Sequence, residues 1–303
     1  MRGVVTTERG LVNPDLPGLF EAADSASLAG QRQYAATVRL RLLLAILAAI
    51  TGTISLRTGP AGVDLAAVCT AIALTAISLT QLSLKTNRPE ESWYDGRALA
   101  ESAKSLAWRY SVCGVPYAKQ DNEKDAEHRL VEQLSRLLDE APTTSVKLSR
   151  RPAVTATMHQ LRAGDLATRK AAYLRFRIGD QQAWYARKAE FHERRAARWH
   201  TALLVIEILG VTAALAKAAR FIDLDLAGVA AALIASGTAW INLRQHATLA
   251  RAYTFAANEL TIAHSRLELV EDEQTWAVEV ADSEEAVSRE HTMWRASRSR
   301  PQD

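Results

Sequence analysis

The segments LLLAILAAITGTISL (residues 42–56) and LAAVCTAIALTAISLTQLSL (residues 65–84) contain no charged side chain. An α-helix of about twenty residues is about 30 Å long, which matches the hydrocarbon layer of a bilayer. The link between the segments contains Gly59 and Pro60, which favour a turn over a helix. Because backbone groups in lipid must pair within their own segment, we predict two helices that form a membrane-crossing hairpin.

A second apolar pair has the same layout. Residues 202–216 carry only Glu207 as a charged side chain, the charged segment KAARFIDLD (217–225) follows, and residues 226–243 are uncharged. In both pairs basic residues come first, and a segment rich in aromatic residues, Ala and Glu comes last. This layout indicates a duplicated two-span unit, and we predict an all-α integral membrane protein with a cytoplasmic helical bundle or coiled-coil part. Its four spans are expected at residues 42–56, 65–84, 202–218 and 226–243.

Composition alone does not separate this prediction from an alternative, in which the apolar helices are buried inside a soluble all-α protein. The chain has 303 residues, of which 48% are hydrophobic and 23% charged, and these fractions are close to those of soluble proteins. The arrangement favours membrane spans, because the apolar residues lie in separate blocks and the charged residues lie between them.

The distribution of basic residues predicts the orientation. Lys and Arg concentrate before the first and third spans and after the second and fourth, whereas the links within the pairs contain Asp64, Asp223 and Asp225. The positive-inside rule then places both termini and the middle region in the cytoplasm. Residues 1–18 have no apolar core and are not expected to be a cleavable signal peptide.

The two-span units are expected to alternate with flexible segments. The predicted order is a segment that is either flexible or a short docking segment (1–24), the first unit (25–140), a linker (141–153), the second unit (154–290) and a disordered tail (291–303). In the second unit one long basic helix precedes the spans and another long helix follows them. The latter has apolar residues at alternating spacings of three and four, which is typical of a coiled-coil seam. The seam comprises Tyr253, Ala256, Leu260, Ala263, Leu267 and Val270.

No catalytic or metal-binding pattern is present in the sequence. The His residues lack metal-ligand spacing, and there is neither a Gly-rich phosphate loop nor a Gly-x-Ser-x-Gly motif. We therefore predict neither an enzymatic activity nor a cofactor.

Cys69 and Cys113 are interpreted as buried small hydrophobic residues. The basic segments flank the spans, so they predict contact with lipid headgroups and not with nucleic acid.

Polar residues within the spans are the candidate functional residues. Glu207 lies about five residues into the third span, and it either marks an ion path or is an interfacial carboxyl group that is protonated or paired. Thr75, Gln81 and Asn242 are further candidates for an ion path. Hydroxyl and amide side chains also support plain helix packing in membranes, so both interpretations stay open.

The helix after the first hairpin contains a group of aromatic, Ala and Glu positions, and the second hairpin is followed by a similar segment at residues 253–260. The group comprises Trp93-Tyr94, Arg97-Ala98, Ala100-Glu101-Ser102, Lys104, Trp108-Arg109-Tyr110 and Pro116-Tyr117. With the two-span hairpins, these residues resemble the SLATT proteins, which are two-span effectors associated with nucleotide-synthesising and nucleotide-sensing proteins of bacterial conflict systems. The resemblance covers about residues 25–270 as two tandem units.

The resemblance implies an effector of the bacterial inner membrane that oligomerises and forms a pore or perturbs the membrane in response to infection or a nucleotide signal. It implies further copies of the chain, the bilayer and nucleotide-signalling or sensor proteins encoded nearby as partners, and it supplies no catalytic residues. No nucleotide-binding domain is visible, so a trigger would act through a partner or an unrecognised pocket. Glu101 and Glu259 are candidates for coupling such a signal to the spans. The alternative is a membrane-anchored helical scaffold that does not conduct ions.

Overall fold

The structure is a computed structural model that describes residues 10–59, 62–140 and 149–298, with side chains described up to residue 287. It is 82% helical, so the prediction of an all-α chain is confirmed. A short 3₁₀ turn, Asn13–Asp15, precedes the first helix, and a two-residue antiparallel pair, β1 (Arg57–Thr58) and β2 (Val63–Asp64), joins the first two helices. The helices are α1 (Gly18–Gly52), α2 (Leu65–Asn87), α3 (Pro89–Ser111), α4 (Glu123–Asp139), α5 (Ala156–Ala163), α6 (Leu166–Tyr173), α7 (Asp180–Ala218), α8 (Leu226–Arg244), α9 (His246–Glu268) and α10 (Glu273–Arg298). A π-helical turn, Leu174–Gly179, connects α6 to α7.

The described residues form two compact units. We call residues 32–89 and 190–250 the hairpin unit, and residues 10–31, 90–189 and 251–298 the bundle unit. Four helices are long and apolar enough to cross a membrane; three of them contain the whole of a predicted span, and the first contains residues 42–52 of the span predicted at 42–56. In the apolar part of each helix no more than 11% of the residues are buried within the protein. Such surfaces are stable only if lipid or another apolar surface covers them.

The two hairpins begin and end their second spans in the same way. Asp64 caps α2 by accepting hydrogen bonds from the backbone of Ala66 and Ala67, and Asp225 caps α8 by accepting one from Gly228. Both helices end at a residue in the left-handed conformation, Arg88 with φ 39° and Gln245 with φ 47°. These shared caps agree with a duplicated unit, since an N-cap carboxylate and a left-handed C-cap define helix ends locally.

Small residues set the contacts within each hairpin. The hydroxyl groups of Thr51 and Thr70 lie 2.7 Å apart between α1 and α2. A Cβ atom added to Gly210 would lie 2.9 Å from the Cβ atom of Ala230, so α7 and α8 approach closely at this point. Small residues in membranes let helices pack at short distance, which is one of the two roles expected for the small and hydroxyl residues of the spans.

The first span is shorter than predicted. Helix α1 ends at Gly52 and not at residue 56, because the residues that follow turn towards β1. Ser55 donates a hydrogen bond of 2.5 Å from its hydroxyl to Asp64, and the backbone N–H of Leu56 donates one of 3.1 Å to the same carboxylate. These hydrogen bonds, and those to the backbone at the start of α2, lower the pKa of Asp64 to about 2. The Asp64 carboxylate therefore organises the link as well as capping α2.

Of the two alternatives predicted for residues 1–24, residues 10–24 are packed against the bundle unit and are not a flexible segment. Leu11, Leu16 and Phe20 are buried in the core of the bundle unit. The Asp15 carboxylate and carbonyl accept hydrogen bonds from Thr157 (2.8 Å) and Thr155 (2.7 Å), respectively. Residues 1–9 lie outside the described part of the chain.

The predicted linker and tail also differ from the structure where they are described. Ser149 donates a hydrogen bond of 2.7 Å to Glu21, and the carbonyl of Pro152 accepts one from Gly18, so the end of the linker is packed. Residues 141–148 lie outside the described part. Helix α10 extends to Arg298, so the predicted disordered tail is helical from 291 to 298, and residues 299–303 are not described.

The two long helices of the second unit are interrupted. Asp165 caps a new helix, α6, and the preceding Gly164 separates it from α5. After the fourth span, α9 ends at Glu268, and Asp272 accepts hydrogen bonds from Gln274 and Thr275 at the start of α10. The predicted seam runs along α9 as far as Leu267, and Val270 follows the end of this helix. Its residues Ala256, Leu260, Leu267 and Val270 are buried in the bundle core.

The two cysteines lie in different environments. Cys113 is fully buried in the bundle unit, as predicted, and burial raises the pKa of its thiol. Cys69 is exposed on the surface of α2, so it is not a core residue of the hairpin. Both thiols are free.

Candidate functional site

The polar residues predicted within the spans lie on outward-facing surfaces. Glu207, Asn242, Gln81 and Thr75 are all exposed. In the described part of the chain none of these four side chains is bonded to another, and the Thr75 hydroxyl instead donates a hydrogen bond of 2.9 Å to the carbonyl of Ala71. Within one copy of the chain, therefore, no described hydrogen bond links these four side chains.

Glu207 lies on an apolar face of α7. Its neighbours on this face, Leu204, Ile208 and Val211, are exposed by 56%, 58% and 61%. A carboxyl group among exposed apolar side chains is costly in lipid, because neither water nor a counter-ion surrounds it. Contact between copies of the chain is one arrangement that would cover both Glu207 and its apolar neighbours.

A cluster of basic and aromatic side chains lies at the ends of the spans in the hairpin unit. The guanidinium groups of Arg39 and Arg244 lie 5.0 Å and 5.6 Å from the ring centroid of Trp240. The Nδ1 atoms of His192 and His246 are 2.8 Å apart, so one ring donates a hydrogen bond to the other. Burial, followed by the nearby Arg244 and Arg195, lowers the pKa of His246. Basic and aromatic residues at the ends of membrane spans are typical of a membrane interface.

A buried ion pair forms the polar centre of the bundle unit. The side chains of Arg177, in the π-helical turn, and Glu284, in α10, are each 1% exposed. Arg177 donates Nε–H to Oε1 of Glu284 at 2.8 Å and Nη2–H to Oε2 at 2.6 Å. The hydroxyl groups of Ser105 and Tyr173 donate to the same carboxylate at 2.7 Å and 3.0 Å. This network ties α3, α6 and α10 together.

Two further buried arginines hold the turn that follows α3. Arg162 donates hydrogen bonds to the carbonyl oxygens of Tyr110 (3.0 Å) and Tyr117 (2.7 Å). Arg169 donates one of 3.0 Å to Val112 and forms an ion pair with Glu273. Three arginines of the basic segment between residues 154 and 198 are therefore buried in the core: Arg162, Arg169 and Arg177. Sequence patterns did not reveal this, because a basic helix with scattered acidic neighbours is typical of an exposed face.

The two candidate coupling residues each line a cavity of the bundle unit. Glu101 forms an ion pair of 3.0 Å with Arg97, and both residues line a cavity of about 750 Å³. Glu259 lines a smaller cavity of about 340 Å³ together with Glu279, Asp282 and Glu285. The structure does not place Glu101 and Glu259 in one site. Within the described residues, no three His, Cys, Asp or Glu side chains are grouped so that they could hold a metal ion.

Comparison with known families gives two adjacent matches along the chain. Residues 17–170 match the family model described as SMODS and SLOG-associating 2TM effector domain 3, and residues 173–294 match effector domain 1 of the same description. Each match contains one hairpin and the helices around it, and the predicted linker at 141–153 lies within the first match. No curated protein and no solved structure matches the chain.

Proposed function

Because the chain belongs to the SLATT family, as two tandem two-span effector domains, we propose that it is a bacterial membrane effector that oligomerises and forms a pore or perturbs the membrane. The trigger in this proposal is a nucleotide signal or a partner protein. The tandem arrangement itself confirms the resemblance predicted from the sequence. SLATT domains are effector domains associated with conflict systems, which supports the effector role.

Polar side chains on the exposed apolar surfaces of the helices are the observation that best supports this proposal. Four helices present apolar side chains outward, and the surfaces of three of them also present Glu207, Asn242, Gln81 and Thr75. Assembly of several copies would cover these groups and would align them along an interface. An interface lined by hydroxyl, amide and carboxyl groups is suited to water and ions.

We further propose that the protein is located in the inner membrane with both termini in the cytoplasm. Basic residues flank the spans, and Arg39, Trp240 and Arg244 form the stacked cluster that such an interface favours. The bundle unit would then lie on the cytoplasmic side, where an intracellular signal is available.

Membrane potential during induced expression tests the effector role. We expect induction, under phage challenge if required as a trigger, to depolarise cells rapidly, and Glu207→Gln to slow depolarisation severalfold at matched membrane abundance. Glu193→Gln is the matched control, because Glu193 is an exposed glutamate on the same helix outside the predicted span. If all three proteins leave the potential unchanged with the neighbouring operon proteins present, the chain is a scaffold and not a conducting effector.

A further inference from the structure

The larger cavity of the bundle unit has a volume of about 750 Å³, which is in the range of small-molecule sites. Its walls include residues from the start of the described chain, from α3 and from the segment around the π-helical turn. Four basic residues line it: Arg97, Lys104, Arg177 and Arg187. Phe176 and Trp184, both half-buried, contribute aromatic surface to the same cavity.

Arg177 has a buried donor that the bundle does not use. Its Nε and Nη2 atoms bind Glu284, which fixes the plane of the guanidinium group. Its Nη1 atom is buried and has no hydrogen-bond partner in the described structure. A buried N–H group without a partner is unfavourable, so an acceptor that reached this atom from the cavity would be bound favourably.

Lys104 is a second donor without a partner. It is half-buried on α3, and no hydrogen bond or ion pair to it is found among the described residues. Burial, followed by the nearby positive charge of Arg177, lowers the pKa of Lys104. The ammonium group therefore lies where positive charge is not fully compensated, although Glu101 and Glu284 act in the opposite direction.

The acidic residues of the cavity do not neutralise these two donors. Three carboxyl groups line the cavity: Asp24, Glu101 and Asp180. Glu101 is paired with Arg97 at 3.0 Å, and Asp180 is exposed to solvent. Asp24 contributes favourably to the charge on Arg97 and forms no ion pair with Lys104 among the described residues. The buried part of the wall therefore offers donors for an anion.

We propose that this cavity binds a small organic phosphate whose phosphate group accepts hydrogen bonds from Lys104 and from Nη1 of Arg177. A lysine acts as a point charge and an arginine as a directed donor, and together they suit the several acceptor oxygens of a phosphate group. Phe176 and Trp184 supply apolar surface for the organic part. A role of this ligand as the trigger rests on the proposed effector function, whereas the binding itself does not.

Calorimetric titration of the full chain in nanodiscs of phosphatidylethanolamine and phosphatidylglycerol tests the site, with adenosine monophosphate as the probe. We expect the probe to bind, and Lys104→Met to weaken its binding at least about tenfold, as loss of one charge-assisted hydrogen bond predicts. Methionine keeps an apolar stem and removes a buried charge, so the fold should be retained. Lys124→Met is the control, because Lys124 is an exposed lysine on α4 that does not line the cavity. Arg187→Gln changes an exposed lining residue and provides a second expected loss of affinity that leaves the core intact.

Adenosine and inorganic phosphate are the two other ligands of the experiment. Failure of adenosine to bind, with displacement of the probe by inorganic phosphate, would support the site and would show that the phosphate group determines binding. Equal affinity of the probe for the wild-type protein and for Lys104→Met would overturn the proposal, as would the absence of binding by both phosphate compounds. Binding is measured without ion flux, so its failure is distinct from failure of the effector function.

Discussion

At the scale of single residues, the paired charges of the bundle core determine which helices meet. Arg177 and Glu284 are far apart in the sequence and almost completely buried. Burial alone would lower the pKa of Arg177, but the charge and hydrogen bond of Glu284, together with Tyr173 and Glu101, raise it. Burial and the same carboxylate raise the pKa of Tyr173, which therefore remains a hydrogen-bond donor. The network is complete only if α3, α6 and α10 are all in place.

Glu284→Gln should therefore destabilise the bundle unit strongly. The substitution leaves the guanidinium charge of Arg177 buried without its counter-ion, which costs about 3–5 kcal/mol. Denaturant unfolding followed by fluorescence of the buried Trp108 and Trp276 measures the change. Glu285→Gln, at the adjacent exposed position of the same helix, should change the free energy of unfolding by less than about 1 kcal/mol. Equal effects of the two substitutions would show that the ion pair does not stabilise the fold.

At the scale of elements, the hairpins are held by close contacts between small residues. Gly210 of α7 faces Ala230 of α8. The Cβ methyl group of Ala230 is fixed to the backbone, so it cannot move away from a larger side chain at position 210. Gly210→Leu should separate the two helices and lower stability by about 1–3 kcal/mol, the usual cost of overpacking. Gly52→Leu is the matched control, because a Cβ atom at Gly52 meets no atom within 4 Å. Thermal unfolding in detergent compares the two, and an equal or greater loss with Gly52→Leu would contradict the packing argument.

Some of the helices and helix ends of this structure can be predicted from local sequence signals, and others cannot. Uncharged segments identify the four apolar helices, because the bilayer imposes one requirement on every residue of a span. The break between α5 and α6 also has a local signal, since Gly164 is followed by Asp165, a good N-cap. The packing of residues 10–24 has no local sequence signal. It depends on contacts such as that of Asp15 with Thr157, between residues far apart in the sequence. For the same reason the sequence identifies Lys104 only as part of the family resemblance and does not indicate that Lys104 and Arg177 line one cavity.

At the scale of the whole molecule, the two family matches do not correspond to the two compact units. Each match contributes one hairpin to the hairpin unit and several helices to the bundle unit. The halves of the chain meet in one bundle core, where Trp276 donates a hydrogen bond of 2.7 Å to the carbonyl of Val112. Ser105 binds Glu284 in the same core, and the ring of Trp108 contacts that of Tyr173 with centroids 5.8 Å apart. The two tandem domains therefore share a core.

This shared core predicts that neither half of the chain folds alone. Division of the chain between residues 140 and 149 would leave Trp108 and Leu130 of one half without cover, and Tyr173 and Trp276 of the other. We expect each half, expressed separately, to be degraded or to aggregate on extraction in mild detergent. Co-expressed halves should purify together through a tag on only one of them, because the hydrogen bonds of Arg162, Arg169 and Arg177 can form again. A half that unfolds cooperatively by itself would show that the tandem domains are independent, and Glu284→Gln would then be expected to destabilise only the second half.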